Sequence, residues 1–395
     1  MTTALPRGSG PRLAALLALL PCAALSAQVP APADTTPTPP PAAAAKPKKQ
    51  FFYFGMHPDL FAQYDPETDQ VVRKVKFKNG MAWDSTLSHD KQRFFVVTGQ
   101  QHKIEVIDRA SMEVVSEHDF VEQGYILRIR DVRELPGGTH WYVRVERIKQ
   151  QIDRYSFDPS QQLLYNVAEK KVEKRLRRLP EVIDRMAQIS PDGTMWHALA
   201  DDGDIAVIDP KTMKEVGRID LHTPQAGGMG PMRTMAQDLF DGQNPDAYRM
   251  LYTMQDPVQK NRSMWGLVDI DLKSNKVAKV EEWGVSPGIG FGLRIAANKK
   301  VAAAMGGNFG GGGGGANADR RTRLSLYDLT NGRKLKEAYE EFRPRRGLVA
   351  IAPDGSKIYI GIAGSDFEVF DSELKRMKTV ELDNEIAGQI QVLDG

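Results

Sequence analysis

Seven times between Phe51 and the C-terminus, a β-rich run ends in an apolar residue followed by Asp, makes a short polar turn and continues into a second β-rich run. The clearest copies are Ile104-Glu105-Val106-Ile107-Asp108, Ile205-Ala206-Val207-Ile208-Asp209, Leu267-Val268-Asp269-Ile270-Asp271, Leu324-Ser325-Leu326-Tyr327-Asp328 and Phe367-Glu368-Val369-Phe370-Asp371. Ala62-Gln63-Tyr64-Asp65 opens the series, and Leu163-Leu164-Tyr165-Asn166 is a degraded third copy with Asn for Asp. Alternation such as Ile-Glu-Val-Ile predicts strands, and an Asp at a strand end can accept hydrogen bonds from the amides of the following turn.

The seven Asp or Asn positions are 65, 108, 166, 209, 271, 328 and 371, spaced by 43 to 62 residues. A second turn signal falls between them: Ser88-His89-Asp90-Lys91, Ser190-Pro191-Asp192-Gly193 and Ala352-Pro353-Asp354-Gly355, each flanked by apolar runs. Every unit therefore has four strands: inner, second, third and outer. The longer intervals imply insertions in units three, five and six. A period of 40–50 residues in an all-β chain predicts propeller blades. The first unit has no inner strand ahead of Phe51–Gly55. Residues 385–393 form a spare strand that ends where another unit would begin. The expectation is an all-β, seven-bladed β-propeller of four-stranded blades over 51–395, with the first blade completed by the C-terminal strand. That closure removes the free sheet edges that ending the array elsewhere would leave.

Phe95-Val96-Val97-Thr98-Gly99 followed by Lys103–Asp108, with the SPDG and APDG turns, resembles the YVTN-type seven-bladed propellers. That broad family includes bacterial cell-surface repeat proteins, and related propellers form the lactonase family and the large subunits of amine dehydrogenases. The resemblance covers roughly residues 51–395. It implies blade architecture and says little about chemistry.

Residues 1–27 read as a secretory signal peptide: Arg7 and Arg12 precede the apolar run Leu13–Leu20, and small residues around Ala24-Leu25-Ser26-Ala27 offer a cleavage site. Residues 28–50, dominated by Pro and Ala, have the composition of a disordered linker. These features predict a secreted or periplasmic protein without a transmembrane segment after cleavage. Cys22 is the only cysteine and lies in the signal, so the mature chain is expected to lack disulfides and thiolate chemistry. Lys+Arg is 53 and Asp+Glu 51, the excess being Arg7 and Arg12. A neutral mature chain gives no bulk reason to bind nucleic acid.

Function in a propeller concentrates at the face that carries the entries to the inner strands. Counting back from the hairpin turns, arginines recur there: Arg130 beside Arg128, Arg185 beside Asp184, Arg233, and Arg346 beside Arg345. Guanidinium groups at one level would make an anion-binding funnel, self-repelling unless countered by Asp84, Asp131 and Asp184 or by a ligand. The bland reading is an Arg–Asp network that fastens blades together. The Gly-rich stretch 306–315 has no following Lys-Ser/Thr and no helix, so it is a surface loop or a lid with Phe309 as its anchor. The histidines lack metal-ligand spacing and read mostly as surface or turn residues. The tryptophans read as blade packing, and Asp201-Asp202-Gly203-Asp204 as a tight turn. No cofactor or metal site is predicted. The reading reached is a binding or scaffolding module for a protein partner or small anionic ligand. An enzyme (a lactonase-like hydrolase or the large subunit of a periplasmic amine dehydrogenase) and a structural cell-surface repeat protein stand as alternatives.

Overall fold

The structure is a computed structural model and describes residues 49–395, apart from 159, 177–181, 191, 201, 213, 224–226, 235–246, 261, 287–290, 297–299, 307–321, 341–343 and 363–364. The predicted signal peptide and nearly all of the linker lie outside the described residues.

Among the described residues, twenty-nine strands form seven antiparallel sheets, one per blade. Blade 1 holds β1 (Gln50–Met56), β2 (Leu60–Asp65) and β3 (Gln70–Lys76). Blade 2 holds β4 (Asp84–Leu87), β5 (Arg93–Thr98), β6 (Lys103–Asp108) and β7 (Glu113–Asp119). Blade 3 holds β8 (Tyr125–Glu134), β9 (His140–Gln150), the short β10 (Tyr155–Phe157), β11 (Gln161–Asn166) and β12 (Lys171–Leu176). Blade 4 holds β13 (Val182–Ile189), β14 (Trp196–Ala200), β15 (Ile205–Asp209) and β16 (Lys214–Ile219). Blade 5 holds β17 (Met232–Thr234), β18 (Ala247–Gln255), β19 (Ser263–Asp271) and β20 (Lys276–Val285). Blade 6 holds β21 (Phe291–Ile295), β22 (Val301–Gly306), β23 (Thr322–Asp328) and β24 (Arg333–Glu340). Blade 7 holds β25 (Pro344–Ile351), β26 (Lys357–Ile362), β27 (Asp366–Asp371) and β28 (Arg376–Glu381). The last strand, β29 (Ile386–Asp394), returns to blade 1.

That closure follows the expected pairing. β29 lies antiparallel to β1, from Gln50 opposite Asp394 to Met56 opposite Ile386. Gly395 N–H donates to the Lys49 carbonyl at 2.7 Å, and His57 N–H to the Glu385 carbonyl at 2.7 Å.

Each third strand ends on the predicted Asp or Asn, and each of these side chains accepts from its own turn. Oδ1 of Asp65, Asp108, Asp209, Asp271, Asp328 and Asp371 accepts the N–H of Glu67, Ser111, Lys211, Lys273, Thr330 and Glu373 at 2.8–3.0 Å. Asn166 Oδ1 does the same for Glu169 N–H at 3.0 Å, so the degraded third copy keeps the capping geometry without the charge.

Blade strands carry apolar residues on both faces because each blade is covered by two neighbours. In β5, Phe94 and Val96 face blade 1, where they meet Tyr53 and Phe61; Phe95 and Val97 face blade 3, where they meet Trp141 and Val143. One such apolar cluster fills every blade-to-blade interface, including blade 7 to blade 1, where Phe52, Phe54 and Tyr64 pack on Tyr359 and Phe367. The ring is therefore closed by burial as well as by hydrogen bonding. Trp141, Trp196 and Trp265 are fully buried in these interfaces, whereas Trp83 is exposed.

Two histidines depart from the sequence expectation. His118 and His197 are buried between blades rather than placed at the surface. His118 packs edge-on against Trp141 with ring centroids 4.5 Å apart, and its Nδ1 lies 3.1 Å from the Tyr165 hydroxyl of blade 3. His197 Nε2 lies 2.6 Å from Asn275 Oδ1 of blade 5.

Candidate functional site: the inner strands at the channel

The inner strands β29, β4, β8, β13, β17, β21 and β25 each pair with one strand only, so their second edges are left facing the axis of the ring. Those edges are interrupted at one level. In β8, pairing with β9 slips between Ile129 and Asp131, leaving Arg130 unmatched. In β13 the ladder is broken between Val182 and Met186, and in β25 between Pro344 and Val349. β21 slips between Phe291 and Arg294. β29 slips opposite Phe54, where Gly388 takes φ +73°. A bulge bends the strand and leaves backbone groups out of the ladder.

Three of the four predicted arginines stand on these bulges. Arg130, Arg185 and Arg346 occupy the irregular stretches of β8, β13 and β25. In blades 4 and 7 the two flanking paired residues fall at matching steps of the ladder. The count back from the turns thus located a feature that repeats among the blades. Arg233 differs. It is paired opposite Thr253 and exposed. The inner strand of blade 5 is described only over Met232–Thr234, and its course through 235–246 lies outside the described residues. Phe309 lies outside the described residues.

The carboxylates expected to neutralise this level are engaged differently. Arg130 is exposed, and its Nη2 donates to Glu146 Oε2 at 2.6 Å within its own blade. Asp131 Oδ1 accepts the N–H of Val132 at 2.9 Å, and Oδ2 lies 3.3 Å from Arg133 Nε. Asp84 Oδ1 accepts the N–H of Ser85 at 2.8 Å. These two aspartates shape the inner strand itself. Asp184 shares the β13 bulge with Arg185. Glu146, on β9, is the partner that residue counting missed; only the register of β8 against β9 brings it beside Arg130.

Two polar clasps between blades sit at the opposite end, where inner strands finish and third strands turn. Asp69, in the β2–β3 turn of blade 1, accepts from Lys357 Nζ at 2.8 Å, Tyr359 Oη at 2.6 Å and Tyr64 Oη at 3.2 Å, with Lys378 Nζ 2.8 Å from its carboxylate. Burial pushes the Asp69 carboxyl up, and the hydrogen bonds from Lys357, Lys378 and Tyr359 outweigh it, holding it below the ordinary carboxylate range. Glu134, at the end of β8, accepts from His89 N–H at 2.9 Å and Arg93 Nη2 at 3.0 Å. Arg130 pairs with Glu146 and is not a member of these clasps. Among the described residues, no group of three or more His, Cys, Asp or Glu side chains is placed to share a metal ion.

The fold is a seven-bladed β-propeller whose first blade is completed by the C-terminal strand. Solved structures of similar shape include the hydrazine synthase of Kuenenia stuttgartiensis, at 14% identity and TM-score 0.43, over 81% of this chain and 97% of that one. The dihydro-heme d1 dehydrogenase NirN is similar at 17% identity and TM-score 0.47, over 91% and 78% of the two chains. A functionally unknown protein of Desulfotomaculum acetoxidans follows at 12% identity and TM-score 0.49, over 87% and 98%. The chain matches no protein-family model and no curated protein.

Proposed function

We propose that this chain is an exported propeller of the YVTN type that works as a binding module, taking a small anionic ligand or an acidic protein segment at the channel face. The observation that carries the reading is the coincidence of Arg130, Arg185 and Arg346 with the bulges of three inner strands. Unpaired strand amides and guanidinium groups are both donors, and together they suit carboxylate or phosphate oxygens. Glu146 balances Arg130 and leaves the rim an acceptor of further negative charge. The secretory signal and Pro/Ala linker read from the sequence place such a module in the cell envelope or outside it.

The test is calorimetry of the mature chain with small carboxylates and inorganic phosphate, comparing wild type with an Arg185→Ala/Arg346→Ala variant. Binding that weakens at least tenfold in the double variant is expected. A wild type that binds neither class, or a variant of unchanged affinity, refutes the reading.

A further inference from the structure

Blade 3 carries a feature that the other described blades lack. β9 runs beyond the end of β11 and folds back as β10, so that the start of β8, the end of β9 and β10 make a three-stranded projection. It accounts for part of the long interval between Asp108 and Asn166. In the other blades whose second-to-third-strand loop is described in whole or part, that connection contains no strand.

Cross-strand pairing assigns its two faces. Ile126 and Phe157 are both opposite Ile148, so these three share one face, together with Tyr155, Arg128 and Glu146 two residues along their strands. Tyr125, Leu127, Arg147 and Lys149 share the other. That second face is occupied: Leu127 is buried against Phe95 and Val97 of blade 2, and the Arg147 guanidinium lies 3.8 Å from the Tyr125 ring centroid. Arg147 also pairs with Glu122 and Asp158.

On the first face Ile148 is buried, and the side chains around it are open. Phe157 is 67% exposed, Tyr155 56% and Ile126 42%, and Ile152 at the hairpin tip is fully exposed. Large apolar side chains gathered on one projecting face mark an interaction surface more often than scattered ones do. The charges beside them are unequal. Glu146 is the one acidic side chain of this face, and it is already bonded by Arg130. Arg128, opposite Glu146 in the ladder and exposed, has no acidic partner among the described residues.

We infer that this face docks an extended acidic segment of a partner protein, one apolar side chain seated on Ile126, Tyr155 and Phe157 and a carboxylate on Arg128. Ile126 and Arg128 are two residues apart on a strand, about 7 Å. An extended partner presents its own side chains at that spacing when an acidic residue lies two positions from an apolar one. A lipid surface fits less well. At the hairpin tip Asp153 adjoins Ile152, so the apolar tip would carry a carboxylate into the headgroups. The docking face adjoins the Arg130 bulge but does not depend on Arg185 or Arg346.

The test uses the mature chain and a fluorescent twelve-residue peptide of Phe-Ser-Glu-Ser repeats, with Phe-Ser-Lys-Ser repeats as control and phosphatidylglycerol vesicles as a separate arm. Anisotropy should show saturable binding of the Glu peptide that weakens with salt and falls at least tenfold in Tyr155→Ser/Phe157→Ser and in Arg128→Ala. The altered side chains are exposed, so unchanged melting temperatures are expected, and Ile152→Ser gives a second, milder probe. Equal binding of the Lys peptide, no binding of the Glu peptide, or indifference to both variants overturns the inference. So does vesicle binding that competes with the peptide. Loss of small-anion binding in Arg185→Ala/Arg346→Ala with peptide binding intact separates this face from the rim.

Discussion

Substituting Asp69 by Asn removes one negative charge from the clasp between blade 7 and blade 1 and changes little else. Asp69 has φ +56°, a conformation that Asn tolerates as well as Asp does, so the backbone is not strained by the exchange. Its side chain is 6% exposed and faces two ammonium groups, those of Lys357 and Lys378, whose side chains are 22% and 47% exposed. A charged hydrogen bond is worth about 1.5–3 kcal/mol, and the partly solvated Lys378 contributes at the low end. Asn still accepts one bond from a tyrosine hydroxyl. The expected loss is therefore about 3 kcal/mol. For a domain of about 350 residues, that lowers the melting temperature by about 4 °C. The pH dependence gives an independent check. The folded-state carboxyl of Asp69 is held below its ordinary value. Its contribution is complete above the unfolded value near 4 and is lost as pH falls through the folded value. Wild type and variant should thus converge in strong acid. Scanning calorimetry at pH 7 and urea titrations stepped down to about pH 3 measure both effects. A shift under about 1 °C at pH 7, or a gap that stays constant into acid, would refute a clasp held by charge.

The buried histidine between blades 2 and 3 gives a second pH signature: burial, with a smaller push from Lys170, drops the His118 value to about 4. Because that value is depressed, the unfolded chain takes up the proton first. Stability is complete above about pH 6.5 and falls by about 2 kcal/mol on reaching pH 5, a decline that His118→Phe should abolish in urea titrations. Deleting residues 386–395 leaves β1 without its inner partner and opens the ring, so the truncated chain should lose its cooperative unfolding transition and aggregate on expression. Glu146→Gln releases Arg130 from its 2.6 Å partner and should raise the affinity for small carboxylates several-fold by calorimetry, whereas a purely structural Arg130 predicts no change in binding.

Blade architecture was legible because its determinants are local. Asp271 meets the amides of Lys273 and Ser274 two and three residues on, so the third-strand turn is written within a few positions of the chain. The closing strand was legible for a different reason: the first unit lacked a strand and residues 385–393 were left over. Nothing local marks His118 or His197 as buried. Their environments are built by Trp141 and Tyr165 from the next blade in one case and by Asn275 in the other. A residue whose solvent is replaced by a neighbour far along the chain cannot be read from its own flanks.

The rim falls between these cases. Counting back from the hairpin turn puts Arg130, Arg185 and Arg346 on irregular stretches of their inner strands, and Arg233 on the paired part of β17 that is described. What it could not supply is the slip of the ladder, since a bulge is a mismatch between two strands and not a property of one. The same mismatch explains why the rim differs from the blade faces. On a regular ladder alternate side chains are committed to the neighbouring blades, as Phe94 and Phe95 show. A residue on a bulge is freed from that alternation. On the proposed reading, arginines at these irregular stretches add guanidinium donors to the unpaired amides of the inner edge, so that one carboxylate or phosphate can accept from both.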